Sequence, residues 1–138
     1  MTRSNRSARS AGQKFERLIA DYLRDTVDPR RDIRPKNGRN DRGDLGGVHT
    51  IRGGAIVVEV KNTNRLELAE WIKEAEAEAG NADADAGVVI HKRKGKGAAG
   101  DQWVTMSAET FAWLLLGGPK DERVVVADPH TIITDGAT

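Results

Sequence analysis

Cysteine is absent from the 138 residues, which excludes disulfides, zinc-thiolate centres and thiol nucleophiles and fits a reducing compartment. Aromatic residues are few, with three Trp, one Tyr and two Phe. No apolar run approaches the length needed to span a bilayer, and "MTRSNRSARS" has no apolar segment after its arginines. Membrane insertion and a secretory leader are therefore not expected, and an intracellular, cytoplasmic setting is. Internal repeats are lacking too, and the length suits one domain with a core of its own.

Charge is present in both signs but unevenly placed. The formal net charge is +1, yet residues 1–43 carry twelve Lys/Arg against six Asp/Glu, and residues 44–86 carry four against nine. A second basic run, "HKRKGKG", covers residues 91–97. Local anion-binding surfaces on a nearly neutral chain suit a polyanion partner, although solvated loops have the same composition.

Periodicity predicts the elements. Ser10 and Gln13 make a capping box ahead of Phe15, Leu18, Ile19, Tyr22 and Leu23, a helix that ends before Pro29. "DIRP" is a short strand, "KNGRNDRGD" reads as a mobile loop, and "LGGVHTI" with "AIVVEVK" forms an antiparallel hairpin about Arg52, Gly53 and Gly54. Asn64 and Glu67 cap a helix with Leu68, Trp71, Ile72, Ala75 and Ala79 on one face. "GVVI" and "QWVTM" are strands, and Ser107 caps a third helix stopped by Gly117, Gly118 and Pro119. Residues 1–9 are expected as a basic flexible arm in which Arg3, Arg6 and Arg9 lie along a polyanion, 10–118 as the domain, and 119–138 as an extension packing on the domain or a partner. The order describes an α/β domain with a mixed sheet flanked by helices.

Within "GGAIVVEVKNTN", alternation places Ile56, Val58 and Val60 on one face and Val57, Glu59 and Lys61 on the other. Charges at the end of so apolar a strand are tolerated when paired with each other, with a metal or with a charged substrate. A surface ion pair is the simpler reading of Glu59 and Lys61 alone. Asp44, just before the first hairpin strand, comes close to Glu59 near the end of the second. Two carboxylates and a nearby backbone carbonyl make an oxygen-rich nest for a hard cation such as Mg²⁺. Lys61 would then orient a water or neutralise charge on a phosphate. Glu16 borders the apolar stripe of the first helix and can supply a third acid, or serve as an ordinary helix-flank glutamate.

Glu16, Gly43-Asp44 and Val58-Glu59-Val60-Lys61, in this order, resemble the PD-(D/E)xK nuclease superfamily, and within it the archaeal-type and phage Holliday junction resolvases. The likeness spans roughly residues 10–116. It aligns Gly12 to Glu16 with the family's first-helix motif, Arg34 with its first-strand arginine and residues 36–42 with its flexible loop. Gly43 stands where the family has proline, and Asn37 where archaeal relatives have serine. The resemblance implies a restriction-endonuclease-like mixed β-sheet flanked by α-helices and a homodimeric, Mg²⁺-dependent endonuclease, with Mn²⁺ able to substitute, that resolves four-way DNA junctions in recombination and repair. A phage-encoded enzyme working inside a bacterial host is among the settings it includes. Asp44, Glu59 and the Val60 carbonyl would hold the metal, with Glu16 assisting directly or through water and Lys61 placing the nucleophile. Arg34, Lys36, Arg39, Arg42, Lys92, Arg93, Lys94 and Lys96 would grip phosphates, giving salt-dependent affinity with little sequence readout. A restriction-like or repair endonuclease on duplex, flap or single-stranded DNA is the competing enzyme. A catalytically silent DNA-binding module competes from another class.

The remaining motifs carry less. His49, His91 and His130 lack the spacing of a zinc helix, and His91 is expected near phosphate and His49 in a strand. Trp71, Trp103 and Trp113 sit in apolar patterns that favour core or dimer packing over base stacking.

Overall fold

The computed structural model describes residues 4–27, 29–30, 32–36, 43–118, 124–128 and 131–134, the last two segments as backbone only. Three helices and a five-stranded mixed sheet make up most of it. Helix α1 runs Asn5–Val27, strands β1 Arg34–Pro35, β2 Leu45–Gly46 and β3 Ile56–Lys61 follow, then α2 Leu68–Asn81, β4 Ala86–His91, β5 Trp103–Thr105 and α3 Ala108–Leu115. This is the order expected from periodicity. Two further strands, β6 Val124–Asp128 and β7 Thr131–Thr134, pair as an antiparallel hairpin, so the C-terminal extension contributes a second, two-stranded sheet.

The five strands lie in sequence order. β1, β2 and β3 are antiparallel neighbours, β3 and β4 run parallel in register from Ile56 opposite Ala86 to Lys61 opposite His91, and β5 returns antiparallel to β4. A parallel pair needs a crossover, which α2 supplies. Phe15, Ile19 and Ala20 of α1 pack on Val58, Val60, Val88 and Ile90. Trp71 and Ala75 of α2 pack on Val89. Because successive strand residues point to opposite faces, the two helices cover opposite faces of the sheet. α2 lies so close to β4 that a methyl group on Gly87 would stand 2.3 Å from the Ala75 carbonyl oxygen.

Three boundaries differ from expectation. α1 begins at Asn5, with Ser4 Oγ accepting from the Ser7 amide at 3.1 Å and the Ser4 carbonyl from Ala8 at 2.9 Å. Ser4 is thus the cap, Ser10 and Gln13 lie inside the helix, and Arg6 and Arg9 ride on its first turns instead of in an arm. Arg3 lies outside the described residues. α2 begins after Glu67 without a side-chain cap, since Thr63 Oγ1 donates to the Arg65 carbonyl at 2.8 Å and bends the chain at Asn64. β2 is cut short by Gly47 at φ +83°, where any Cβ would run into the Asp32 carbonyl, and pairing resumes only as a bridge between His49 and Ala55. The hairpin turn closes as expected, with Gly53 at φ +86° donating to the Thr50 carbonyl at 3.0 Å.

Candidate active site at the end of β3

The site is organised by Asp44. Leu45 pairs with Val58, so one step further along the antiparallel ladder Asp44 comes across from Glu59. The ladder does not continue regularly there. The Asp44 amide donates to the Val58 carbonyl at 2.8 Å, and Gly43 turns the chain aside at φ +90°. A Cβ on Gly43 would stand 2.9 Å from Val57 Cγ1 and 3.1 Å from the Val58 oxygen. Proline, locked near φ −65°, cannot adopt this conformation, so glycine rather than proline at position 43 is a requirement of this backbone. The bend lets the carboxylate take the place of a ladder acceptor: Asp44 Oδ2 accepts from the Val60 amide at 2.7 Å. The N–H and C=O of one strand residue point to the same edge, so the Val60 carbonyl faces the edge where Asp44 lies.

Glu59 is 5 % exposed and stands on the α2 face. Lys61, on the same face, places Nζ 3.3 Å from Glu74 Oε2 of α2 and 3.9 Å from Glu59 Oε2. Glu16 comes from α1 on the opposite face. Burial, and then the nearby Asp44 charge, push its carboxyl up to about 7 from an ordinary 4.5. Burial also raises Asp44, with Glu74 adding to the rise, while the Val60 hydrogen bond and the Lys61 charge oppose it. Asp44 therefore interacts with acids on both faces of the sheet, with Glu16 of α1 on one and Glu74 of α2 on the other. This division explains why, among the described residues, no three His, Asp or Glu side chains converge as a metal-holding group in this conformation. The oxygen-only donor set and the crowding of several acids around the single Lys61 amine nevertheless fit a hard divalent cation.

The basic residues divide. Lys36 donates its amide to the Asp44 carbonyl at 2.8 Å, which fixes it beside the site. Arg34 folds back on Asp32, with Nη1 2.6 Å from Oδ2 and 2.9 Å from the carbonyl, and lines a cleft with His49 and Gly53 at the hairpin-turn side. Arg39 and Arg42, like Asn37, lie outside the described residues. Lys92 spends its amine on the carbonyls of Arg93, at 2.8 Å, and Lys96, so it closes the basic turn instead of facing a phosphate. The Arg93 guanidinium lies 4.2 Å over the Trp103 ring. Lys94 and Lys96 are exposed.

His91 is enclosed by protein and not presented to a phosphate at the surface. It is buried, its ring 5.5 Å from that of Trp71 and its Nε2 2.7 Å from Thr105 Oγ1, and burial lowers its pKa, favouring the neutral form. Trp71 fills the core as expected, whereas Trp103 is 50 % exposed because the edge strand β5 leaves it uncovered. His130 lies outside the described residues. Two residues escaped sequence reasoning. Glu74 sits off the apolar stripe of α2 among other glutamates, with no local mark of its tie to Lys61. Buried Gln102 accepts from the Arg93 amide at 2.7 Å and donates to the carbonyls of Lys96 at 3.0 Å and Ala98 at 2.8 Å. A lone amide before an apolar strand gives no such signal.

Comparison of the chain with models of protein families, with characterised proteins and with solved structures finds no match.

Proposed function

We propose that the chain is a metal-dependent endodeoxyribonuclease of restriction-endonuclease-like fold that resolves four-way DNA junctions. The observation that supports this reading best is the Asp44 carboxylate on the Val60 amide, which brings an acid distant in sequence to the strand that carries Glu59 and Lys61. A binding module has no use for acids gathered against a polyanion. Asp44, Glu59 and the Val60 carbonyl would hold Mg²⁺ or Mn²⁺, with Glu16 joining directly or through water. The cation supplies a water of lowered pKa and charge to match the reacting phosphate. Lys61 carries its ammonium to the same place and would leave Glu74 to orient the attacking water or meet the phosphate's charge.

Glu16 would act by charge. A carboxyl raised to about 7 by burial and the Asp44 charge would ionise readily beside a cation, and Glu16 would then be available to help hold it. Lys36, Lys94 and Lys96 would contact the DNA backbone, with Arg34 reaching it after release from Asp32. Paired cuts on opposing strands of a two-fold junction call for two copies. The exposed apolar side chains of Phe111 and Leu115 in α3 and of Leu116 just after it, at 54 %, 73 % and 59 % exposure, suit the contact between them. No helix of the described residues is long and apolar enough to cross a membrane.

Cleavage of four-way, flap, linear-duplex and single-stranded DNA with and without Mg²⁺ tests the reading. Paired symmetric nicks confined to the junction are the expected result. Metal-dependent cutting of every substrate alike would leave a nuclease but remove the junction preference, and no cutting at all would leave a binding module.

A further inference from the structure

We propose that the cleft between the turns leaving β3 and β4 is a preformed seat for a DNA backbone phosphate next to the scissile one, with the Lys94 ammonium as its charged ligand and Gln102 as the residue that shapes it. The proposal rests on the nuclease reading and names the part of the substrate that the basic turn contacts.

The cleft has a volume of about 350 Å³ and is lined by Asn62, Thr63, Asn64, Lys92, Lys94 and Gly95. None of these is a carboxylate, although the acids of the candidate active site begin three residues before Asn62. Its position follows from topology. Among the described residues β3 and β4 are the parallel neighbours of the sheet, and they end level with each other at Lys61 and His91. The crevice outside the carboxyl ends of parallel strands is the usual ligand position of α/β sheets. The Lys92 amide donates to the Lys61 carbonyl at 3.0 Å and ties the two departing loops together. Asn62 follows Lys61 directly, so the cleft adjoins the residue that would meet a scissile phosphate, and a neighbouring phosphate is the group it would take.

The basic turn is built, not loose. The three Gln102 hydrogen bonds hold Arg93, Lys96 and Ala98 in place, the Lys92 amine closes on two carbonyls, and the Arg93 guanidinium is held on Trp103. The turn bends through Gly95 at φ +81°, with the Lys96 amide on the Arg93 carbonyl at 3.2 Å. Two of its cations are thereby committed to the turn itself. Among the described residues the Lys94 side chain makes no hydrogen bond or ion pair, and it is the remaining amine lining the cleft. Opposite it, the Asn62 and Asn64 amides can donate to phosphate oxygens, whereas the Thr63 hydroxyl is spent on the Arg65 carbonyl. A turn whose backbone is held by its own hydrogen bonds, with the Lys94 ammonium and two amides lining one cleft, is a site for one anionic group for which the backbone ordering is already met.

The test is metal-free binding of a labelled four-way junction over a range of salt, with folding of each variant checked by its thermal midpoint. Lys94→Ala is expected to weaken binding about tenfold at low salt and to reduce the slope of log K against log[salt] by about 1. Lys73→Ala, an equal charge change on the exposed side of α2, is expected to do neither. Gln102→Leu removes no charge yet should weaken binding as Lys94→Ala does, and the double variant should bind no worse than Lys94→Ala alone. On the DNA side, neutral methylphosphonates are placed one phosphate at a time. One position should cost the wild type what Lys94→Ala costs, and cost Lys94→Ala nothing further. A Lys94→Ala chain that behaves like Lys73→Ala, or the absence of any phosphate coupled to Lys94, overturns the seat even where cleavage is intact. Coupling of one phosphate to Lys94 in a chain that never cuts upholds the seat and overturns the nuclease reading. Inorganic phosphate that shifts the Asn64 and Gly95 amide resonances when DNA does not would reassign the cleft to the free anion and overturn the DNA source.

Discussion

The two charged regions at the carboxyl end of β3 and β4 are built on opposite terms. At the acidic end, Asp44 and Glu16 are both raised by burial, Asp44 rests on one amide, and Lys61 is shared between two glutamates on the α2 face. At the basic turn, Gln102, Lys92 and Arg93 satisfy one another and the local carbonyls almost completely, and the amines of Lys94 and Lys96 are left exposed. A group of buried like charges costs stability unless an opposite charge arrives, whereas a closed hydrogen-bonded turn is stable as it stands. The difference separates a cluster whose crowding an incoming cation would relieve from a turn that is already satisfied.

Removing a charge from the acidic end should therefore harm activity and spare the fold. Asp44→Asn and Glu59→Gln are each expected to reduce metal-dependent junction cleavage by about 10³-fold or more, the scale of losing a principal electrostatic group from a reacting centre. Without metal, neither variant should melt lower than wild type by more than a few degrees, since a buried carboxylate is replaced by a neutral group of the same shape and Lys61 keeps Glu74 as its partner. Cutting at the wild-type rate by either one would discard the site.

The two regions also bend through glycines of positive φ, and these make a matched pair. Gly43→Ala adds a methyl 2.9 Å from Val57 and 3.1 Å from the Val58 oxygen, on a backbone at φ +90°. The combined strain and crowding should cost about 3 kcal/mol in denaturant unfolding. Gly95→Ala, at φ +81° with nothing within 4 Å of the added carbon, should cost only the backbone part, about 1 kcal/mol. Equal losses at both positions would show that the Gly43 bend is not tightly packed.

How far the sequence discloses these regions follows from the range of each signal. The order of helices and strands, the hairpin joining Asp44 to Glu59 and the shared face of Glu59 and Lys61 are legible because they depend on periods of 3.6 and 2 and on a turn at Gly53. The Ser107 cap is legible for the same local reason, and its hydroxyl does accept from the Thr110 amide. The caps of α1 and α2 mislead because Ser4 and Ser10 are alike in composition, and because the Thr63 hydrogen bond outcompetes the cap offered by Asn64. Glu74 and Gln102 are invisible because their partners, Lys61 and the Arg93 turn, are joined to them by tertiary packing alone. Trp103 misleads because a tryptophan on an edge strand has the same apolar neighbours in sequence as one in the core.

Glu16 gives a pH-dependent handle on the acidic end that the basic turn lacks. Its folded-state pKa of about 7 lies above the ordinary 4.5, so between those values the folded chain holds more protons than the unfolded one. Stability of the metal-free protein should then fall as pH rises through that window. For a half-buried group, after solvent screening, the change is about 1 kcal/mol. Glu16→Gln should flatten this part of the profile and raise the thermal midpoint at pH 8, measured in chelator. An unchanged slope would place the titration elsewhere.

The smallest effect belongs to Glu74, and its smallness is informative. The side chain is half exposed and its contact with Lys61 is a single 3.3 Å pair, so Glu74→Gln should change unfolding free energy by no more than about 0.5 kcal/mol. Its charge nevertheless reaches Asp44, which it helps to raise. Neutralising it lowers the negative potential that would attract a cation, and at a surface dielectric a carboxylate one shell away contributes less than about 1 kcal/mol. The Mg²⁺ concentration for half-maximal cleavage should therefore rise about two- to threefold in Glu74→Gln, while the Mg²⁺-saturated rate is kept or improved because Lys61 no longer has to leave this partner. A drop in the saturated rate with unchanged metal dependence would instead make Glu74 the residue that aims the Lys61 amine, and the acidic end would share the basic turn's principle of a charge held in place by its neighbours.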